Sequence, residues 1–350
     1  MEATLRQVSA GQEFLWKDER ISALVSRVRE HSDGRVTAEV SFKVDKQGVT
    51  HHILQSRVNL LSTHGKRELV ERLHAKHQLR PGGWDAIVEE LCYITLDNYR
   101  RGKPAVEVWP AEDGEELPES PLLIRPLLYE GKPTILFGEG SAGKSYLALT
   151  LAIIAQLPYY DNPLHLTPKQ ANTLYLDYES DESEFKRRLT LLERGFGLPS
   201  APILYRECNL PLLQDIERLE EIVAEYGIRF IVIDSLGVAA GNASLNDAQT
   251  ATAFYSALRR LNVTSLVITH TAKDAETRRA SPFGSVYFTN LARSVWEARR
   301  QQEENSNEIA VALFHRKNNQ GPLLSPQGFR IAFHDQKTVL RIMKPETVPE

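Results

Sequence analysis

The sequence has few cysteines, no overall excess of basic residues and no long hydrophobic run. Only Cys92 and Cys208 occur among 350 residues, which excludes a disulfide framework and favours a reducing compartment. The formal net charge of −4 excludes a chain that is basic throughout, so any contact with nucleic acid must come from local patches. The most apolar stretch, Leu147 to Leu157, is too short to span a bilayer. We therefore expect a cytoplasmic protein with no membrane partner.

An acidic, proline-containing stretch divides the sequence. It reads WPAEDGEELPESP from Trp109 to Pro121 and has no apolar periodicity, so we predict a linker over residues 106–121. A chain of 350 residues with 42% hydrophobic residues suits about two globular domains. The sequence therefore predicts a small α+β accessory domain over residues 1–105 and a second domain over residues 122–350.

Period-two alternation marks the first region. It is clearest from Val36 to Val44, where apolar and polar residues alternate as in a half-buried antiparallel strand. Turn-like sequences flank this strand, and we predict a three-stranded sheet followed by helices over His64 to His77 and Trp84 to Tyr99. The basic residues of this sheet could line a nucleic-acid face, although a solvated sheet face is the commoner explanation. His51 and His52 are interpreted as neighbours in a strand rather than as metal ligands.

The strongest chemical signal lies between Pro133 and Leu157. An apolar strand, Thr134 to Phe137, runs into a glycine-containing turn and then into an apolar helix. The turn matches G-x-x-x-x-G-K-[ST], whose N–H groups surround the β-phosphate while the lysine reaches the β- and γ-oxygens and the hydroxyl binds Mg²⁺. The sequence therefore predicts a site for ATP and Mg²⁺. The expected nucleotide-binding residues are Gly138, Glu139, Gly140, Ser141, Ala142, Gly143, Lys144, Ser145 and Tyr146.

Strands and helices alternate after this motif, as they do in a mostly parallel α/β sheet. The tail then changes to short alternating runs separated by turns, which predicts antiparallel strands at one edge of the sheet. Strands are predicted over residues 172–178, 203–206, 230–234, 266–270, 309–315, 329–333 and 339–343, and helices over residues 182–194, 215–226 and 248–261.

Carboxylates end two of the predicted strands. Asp234 follows the apolar run Ile231 to Ile233, where it could hold a Mg²⁺-bound water. Alternation along the preceding strand places Asp177 and Glu179 on the same side, so that one of them could reach the water that attacks the γ-phosphate. The alternative for Glu179 is a capping role for the helix that follows it.

The order of these motifs resembles that of the RecA-like ATPase superfamily. The resemblance covers about Leu122 to Lys344 and includes Phe137 to Ser145, Leu176 to Glu179, Ile231 to Ser235 and Ile268 to Lys273. It implies an α/β fold, with a mostly parallel sheet, helices on both faces and antiparallel C-terminal strands. None of the amino-terminal region takes part in the resemblance.

The resemblance also implies catalytic roles for individual residues. Glu179 matches the glutamate that polarises the attacking water, with Asp177 as support, and Lys144 matches the lysine that stabilises phosphate charge. His270 occupies the position of a polar residue that senses the γ-phosphate, although a buried structural histidine would look the same in sequence. Ser145 and Asp234 are the implied metal ligands.

A later segment is similar to the subgroup of plasmid RepA-type hexameric helicases. Phe283 to Ser285, followed by Asn290 to Trp296, resembles its Gly-Ser and Ala-Arg signature. In that subgroup the arginine reaches the ATP of a neighbouring subunit, which makes Arg293 the candidate trans finger. DnaB-like proteins carry a Lys-Asn-Arg run further on with a similar role. Here Asn319 replaces the arginine and leaves Lys317 as the second candidate.

Lys273, Arg278 and Arg279 lie in a polar segment where RecA-like proteins contact DNA, although a solvated surface loop is an equal alternative. The resemblance thus implies Mg²⁺-dependent ATP hydrolysis by a homo-oligomeric ring, with a hexamer favoured, that acts on single-stranded DNA as a helicase or a replication or repair ATPase. The alternative is a KaiC-like regulatory ATPase that contacts protein partners. A small-molecule kinase would share the phosphate loop, but the antiparallel tail argues against it.

Overall fold

The computed structural model describes residues 3–8, 11–31, 33–46, 48–101, 120–157, 159–197, 202–241, 247–271 and 286–349. The chain divides into two compact units, Met1–Glu115 and Glu116–Glu350. Nearly all of the predicted linker, residues 106–121, lies outside the described residues. Within the described ranges, no helix is long and apolar enough to cross a membrane.

The amino-terminal unit is an antiparallel sheet with two helices. One sheet face is buried, and Phe42 on this face meets Trp84 of the second helix edge-on, with ring centroids 5.7 Å apart. The alternation seen in the sequence therefore reflects a sheet with one face in the core. In the order in which they occur along the chain, the elements are β1 (Thr4–Val8), β2 (Gly11–Trp16), β3 (Ile21–Glu30), β4 (Val36–Lys46), β5 (Val49–Asn59), α1 (Thr63–Lys76) and α2 (Gly83–Arg101).

The prediction of three strands in this unit is wrong, because the described residues form five. The sheet order is β1-β2-β3-β4-β5, so two strands precede the predicted three. In β2 only Phe14 and Trp16 are buried, and such a short alternation is a weak signal by itself. His51 and His52 lie exposed in β5, as expected for strand residues.

The second unit contains a large mixed sheet and a small sheet of three short strands. The small sheet consists of β6 (Leu122–Arg125), β7 (Leu128–Tyr129) and β9 (Thr167–Pro168). The strands of the large sheet are β8 (Pro133–Gly138), β10 (Asn172–Asp177), β11 (Leu204–Glu207), β12 (Ile228–Asp234), β13 (Thr264–His270), β14 (Ser294–Gln301), β15 (Glu308–Asn318), β16 (Gln327–His334) and β17 (Lys337–Met343).

The large sheet is parallel on one side and antiparallel on the other. Its order is β11-β10-β12-β13-β8-β14-β15-β16-β17. The pairs from β11 to β14 are parallel, and those from β14 to β17 are antiparallel. The predicted mostly parallel sheet with antiparallel C-terminal strands is therefore confirmed.

Helices cover both faces of this sheet, because the parallel strands are apolar on both sides. One hydrophobic core lies between the sheet and α3 and α4, and a second lies between the sheet and the later helices. The unit ends in a short 3₁₀ helix, Pro345–Thr347. The helices are α3 (Lys144–Gln156), α4 (Glu182–Phe196), α5 (Ile216–Glu225), α6 (Leu236–Ala239), α7 (Ala248–Leu261) and α8 (Val286–Leu291).

Strand β14 was not predicted, although it pairs with the central strand β8. Its sequence is interrupted by Glu297, which is only 3% exposed at its side chain. Arg299 and Arg316 each approach this carboxylate to 2.7 Å. A buried charge is tolerated when it is paired, and these two partners come from β14 itself and from β15. These charged residues interrupt the apolar pattern by which a strand is predicted, and the strand is stabilised by its tertiary pairing.

Candidate nucleotide site

The site is built where β8 turns into α3. A Cβ atom on Gly138 would lie 2.3 Å from the carbonyl oxygen of Ala298, so neighbouring β14 leaves room only for glycine. Gly143 has φ +78°, and its Cβ would lie 2.8 Å from the side chain of Ile331. These two glycines let the chain turn closely enough for α3 to begin at Lys144. The free N–H groups of the first turn of α3 are suited to bind an anion.

Lys144 is folded back onto this turn. Its ammonium group donates to the carbonyl oxygens of Gly138 at 2.9 Å and Glu139 at 2.7 Å. Burial lowers the pKa of Lys144, while the carboxylates of Asp234 and Glu179 act in the opposite direction. The phosphate loop thus holds its cation close to the helix N-terminus, and both carry positive charge toward the same cleft.

Asp234 is fixed at the end of β12. It is 4% exposed, and the Tyr175 hydroxyl donates to Oδ2 at 2.7 Å. Burial raises the pKa of Asp234, whereas hydrogen bonds from Tyr175 and Ser145 lower it. Ser145 stands in the first turn of α3, so the two predicted metal ligands are in contact. Both offer hard oxygen atoms, which Mg²⁺ prefers.

Glu179 and His270 meet at the mouth of the cleft. The Ser235 hydroxyl donates to Oε1 of Glu179, and Nε2 of His270 lies 3.6 Å from the same oxygen. His270 pairs with Gly138 across β13 and β8, so strand register brings it to the phosphate loop. Both side chains are about half exposed, at 46% for Glu179 and 52% for His270. The same cleft is lined by Lys144, Glu179 and His270.

Asp177 has a different position from the one expected. Strand β10 ends at Asp177, so strand alternation does not extend to Glu179 and the expectation of a shared side is wrong. The Asp177 carboxylate is 2% exposed and accepts the N–H groups of Glu179 at 3.0 Å and Ser180 at 2.9 Å. It also accepts the Ser180 hydroxyl. Asp177 therefore shapes the turn that carries Glu179 and does not line the cleft.

The other wall of the cleft is aromatic and cationic. The guanidinium carbon of Arg188 lies 5.4 Å from the ring centre of Tyr146, and Phe333 meets this ring edge-on with centroids 5.1 Å apart. Arg188 also pairs with Glu184 at 2.7 Å, one turn earlier in α4. Together with the phosphate loop these side chains bound a cleft of about 420 Å³.

Sequence reasoning identified Tyr146 but missed several residues around it. Arg188, Phe333, Ser235 and Tyr175 were not singled out, because each reaches the site from another element. Arg300 was also missed, and its guanidinium donates to the Ser141 carbonyl at 3.2 Å. Of these missed residues, only Arg188 had a signal in the sequence: it lies four residues after Glu184, which places both side chains on one face of α4.

The two candidate fingers do not line this cleft: Arg293 directly precedes β14, and Lys317 lies near the end of β15, opposite Val295 of β14. Arg293 is exposed, and its N–H donates to the Pro133 carbonyl at 3.0 Å. The Lys317 ammonium donates to three carbonyls of the α8 C-terminal region, those of Thr289 at 2.9 Å, Asn290 at 2.6 Å and Ala292 at 2.7 Å. Burial lowers the pKa of Lys317, and the charge of Arg293 lowers it further.

Lys317 therefore has its three donors occupied, which corrects its candidacy as a finger in favour of a helix-capping role. The predicted DNA-contacting residues Lys273, Arg278 and Arg279 lie outside the described residues, as does Phe283 to Ser285. The structure therefore leaves their roles as predictions.

Comparison with known proteins identified one family and structures similar to part of the chain. A family described as AAA domain matches residues 99–276. The structure of a KaiC-like protein from the hyperthermophilic archaeon Pyrococcus horikoshii OT3 matches with a TM-score of 0.44 and 16% sequence identity, over 63% of this chain and 97% of that chain. No curated protein sequence matches significantly.

Proposed function

Because the chain belongs to the AAA domain family, we propose that its second unit binds ATP and hydrolyses it to ADP and phosphate as a RecA-like motor. The observation that carries this proposal is the convergence of Lys144, Asp234 and Glu179 on one cleft at the N-terminus of α3. The lysine and the helix terminus suit a triphosphate, and the carboxylates suit a metal ion and a water molecule.

The oxygen atoms beside the phosphate loop fit Mg²⁺. Ser145 would offer its hydroxyl and Asp234 its carboxylate through water, and Mg²⁺ would neutralise charge on the β- and γ-phosphates. Among the described residues no group of three His, Cys, Asp or Glu side chains could hold a metal ion. That finding agrees with an ion held mainly by the nucleotide and solvent, with few protein ligands.

In this mechanism Glu179 orients the attacking water and accepts its proton, and the water oxygen bonds to the γ-phosphorus as the bond to ADP breaks. Ser235 holds one Glu179 oxygen, which leaves the other for the water. His270 lies beside Glu179, where it can contact the γ-phosphate and respond to its loss. Tyr146, Arg188 and Phe333 offer flat and cationic surfaces against which a nucleobase can stack.

Arg293 is proposed to complete the site of a neighbouring subunit. Its backbone lies opposite Pro133, and the phosphate loop begins at Gly138, at the other end of β8. A strand of this length spans about 17–20 Å. An arginine at that distance from its own phosphate loop is better placed to serve another subunit, which supports a ring or filament with ATP between subunits. The resemblance to RepA-type helicases favours a hexamer.

The proposed substrate of the motor is single-stranded DNA. The segment with Lys273, Arg278 and Arg279 follows β13, which ends beside the phosphate loop, so DNA contact and nucleotide state could be coupled through His270. The alternative, a KaiC-like regulatory ATPase, shares every feature of the nucleotide cleft. It differs in its partner, which would be a protein.

One experiment separates these two functions. Phosphate release is measured with and without single-stranded DNA, and particle size is measured with and without a nonhydrolysable ATP analogue. We expect DNA to stimulate turnover and the nucleotide to stabilise the oligomer, while Lys144→Ala is inactive throughout. An oligomer that hydrolyses ATP at the same rate with and without DNA would favour the regulatory ATPase. Absence of any ATP hydrolysis would overturn both.

The DNA contact has its own test. The triple variant Lys273→Ala, Arg278→Ala, Arg279→Ala should bind DNA more weakly and with a smaller dependence on salt, because fewer counterions are released. The matched control removes three exposed basic residues of the helices, Lys186, Arg187 and Arg259. Equal salt slopes in the two triple variants would assign the segment no role in DNA binding.

A further inference from the structure

Tyr175 is a fully buried tyrosine whose hydroxyl points at the proposed metal-binding carboxylate. It lies on β10, paired with Val232 of β12, and its hydroxyl donates to Oδ2 of Asp234 at 2.7 Å. Its ring packs against Phe185, with centroids 4.9 Å apart. The side chain therefore spans from the core under α4 to the end of β12.

The hydroxyl of Tyr175 has no packing purpose of its own. A phenylalanine would fill nearly the same volume in this core, and a buried hydroxyl costs free energy unless it is hydrogen-bonded. Here the bond goes to a charged acceptor, which makes it stronger than a bond between neutral groups. Burial and the charge of Asp234 both raise the pKa of Tyr175 well above its usual value, so the phenol stays a neutral donor.

This hydrogen bond restricts the rotation of the Asp234 carboxylate. Because Oδ2 accepts the Tyr175 hydroxyl and the carboxylate also accepts a hydrogen bond from Ser145, the carboxylate keeps one orientation toward the cleft. Mg²⁺ requires nearly octahedral geometry, so the orientation of a ligand or of a water-holding carboxylate affects its affinity. Arg188 lies close enough to Tyr175 and Asp234 to interact electrostatically with both, which links this pair to the wall of the cleft.

We propose that Tyr175 is a positioning residue that orients the Asp234 carboxylate for Mg²⁺-dependent binding of the nucleotide, an inference that rests on the proposed ATPase function. Tyr175 belongs to β10, which pairs with β12, and so lies outside the phosphate-loop motif. Tyr175 is fully buried and does not line the cleft, so it would act through Asp234.

The test measures binding, not turnover. A fluorescent ATP analogue is titrated onto wild type and Tyr175→Phe in EDTA and at increasing Mg²⁺ concentrations. Losing one hydrogen bond to a charged group should raise the Mg²⁺ concentration for half-maximal enhancement of binding by roughly tenfold to a hundredfold. Affinity in EDTA should stay within about twofold of wild type, because the phosphate loop is unchanged.

The matched control is Tyr178→Phe. Tyr178 is also buried and lies beyond the end of the same strand, but its hydroxyl lies near Cys208, away from Asp234. This variant should keep the wild-type Mg²⁺ dependence. A second check uses Asp234→Asn, in which adding Tyr175→Phe should cause no further change in Mg²⁺ dependence. This comparison remains informative if Tyr175→Phe also lowers thermal stability.

Three outcomes would overturn the inference. The first is wild-type Mg²⁺ dependence in Tyr175→Phe. The second is an equal loss of binding in EDTA and in Mg²⁺, which indicates a packing role only. The third is an additive effect in the Asp234→Asn background. A wild-type protein that binds no ATP under any condition would instead overturn the proposed function, and this inference with it.

Discussion

Ser235 donates its hydroxyl hydrogen to Oε1 of Glu179, and this contact joins the ends of two neighbouring strands. Ser235 directly follows β12, whereas Glu179 stands in the turn after β10. Asp177 closes that turn by accepting the N–H group of Glu179. The orientation of the proposed base therefore depends on two residues that perform no chemistry.

The first prediction follows from this arrangement. Glu179→Gln should keep ATP affinity within a few-fold but slow hydrolysis by about 10² or more, the scale of losing a general base. Ser235→Ala should slow hydrolysis by a smaller factor, since it removes only the orienting contact. Single-turnover phosphate release checks both. Normal turnover in Glu179→Gln would mean that another group accepts the proton.

Much of the fold could be predicted because apolar runs and their alternation depend on local sequence. The alternation from Val36 to Val44 indicated β4, and the run Ile231 to Ile233 indicated β12. Strand β14 could not be predicted in this way. Glu297 is buried there only because Arg299 and Arg316 neutralise it, and a partner on β15 is invisible in the sequence of β14.

The same distinction applies to the site. The positions of Lys144 and Ser145 could be predicted because they belong to the phosphate-loop motif. Asp234 could be predicted because it ends an apolar strand. Tyr175 and Arg188 were not, because their contacts depend on how β10 and α4 pack beside β12 and α3. Sequence reasoning finds residues whose chemistry is encoded by spacing and misses those brought in by tertiary packing.

The second prediction concerns Lys317. Because its ammonium binds the carbonyls of Thr289, Asn290 and Ala292, Lys317→Met should destabilise the second unit by about 1–2 kcal/mol. The melting temperature should fall by about 2–8 °C. Hydrolysis below this transition should stay within a few-fold of wild type. A variant of normal stability that no longer hydrolyses ATP would restore Lys317 as a finger.

The third prediction concerns the pH dependence of stability. His315 is buried, stacks on Trp296 at 4.2 Å, and accepts the N–H of Leu324 at Nδ1, so its Nε2–H donates to Ser294. Burial lowers the pKa of His315 to about 4 from 6.5. Below pH 6.5 the unfolded chain therefore binds a proton that the folded chain does not, and stability falls until about pH 4.

This titration of His315 lowers the free energy of unfolding by about 1.6 kcal/mol between pH 6.5 and pH 5. Denaturant unfolding at the two pH values should show that His315→Gln, although less stable at pH 7, loses less stability on acidification than wild type. His334→Gln is the control, since His334 is exposed and should leave the wild-type slope unchanged. If the free energy of unfolding changed with pH to the same extent in all three proteins, groups other than His315 would cause the loss of stability at low pH.

The last prediction concerns Arg293 and the subunit interface. Arg293 is held at the start of β14, opposite Pro133, while its own phosphate loop lies at the far end of β8. If it serves a neighbouring subunit, Arg293→Ala should bind ATP normally but lose about 10³ or more in turnover, the scale of an arginine finger. Arg341→Ala, which removes an exposed arginine of β17, should retain wild-type turnover.

Mixing decides whether this arginine acts in trans. Arg293→Ala subunits and Lys144→Ala subunits are each expected to be inactive alone. A mixed oligomer contains some interfaces where an intact phosphate loop faces an intact Arg293, and these interfaces should hydrolyse ATP. If mixed oligomers form, as judged by co-purification of differently tagged subunits, yet no activity returns, Arg293 acts within its own subunit or only in packing. A protein that remains monomeric with ATP and DNA present would have no shared site, which would remove the ring mechanism itself.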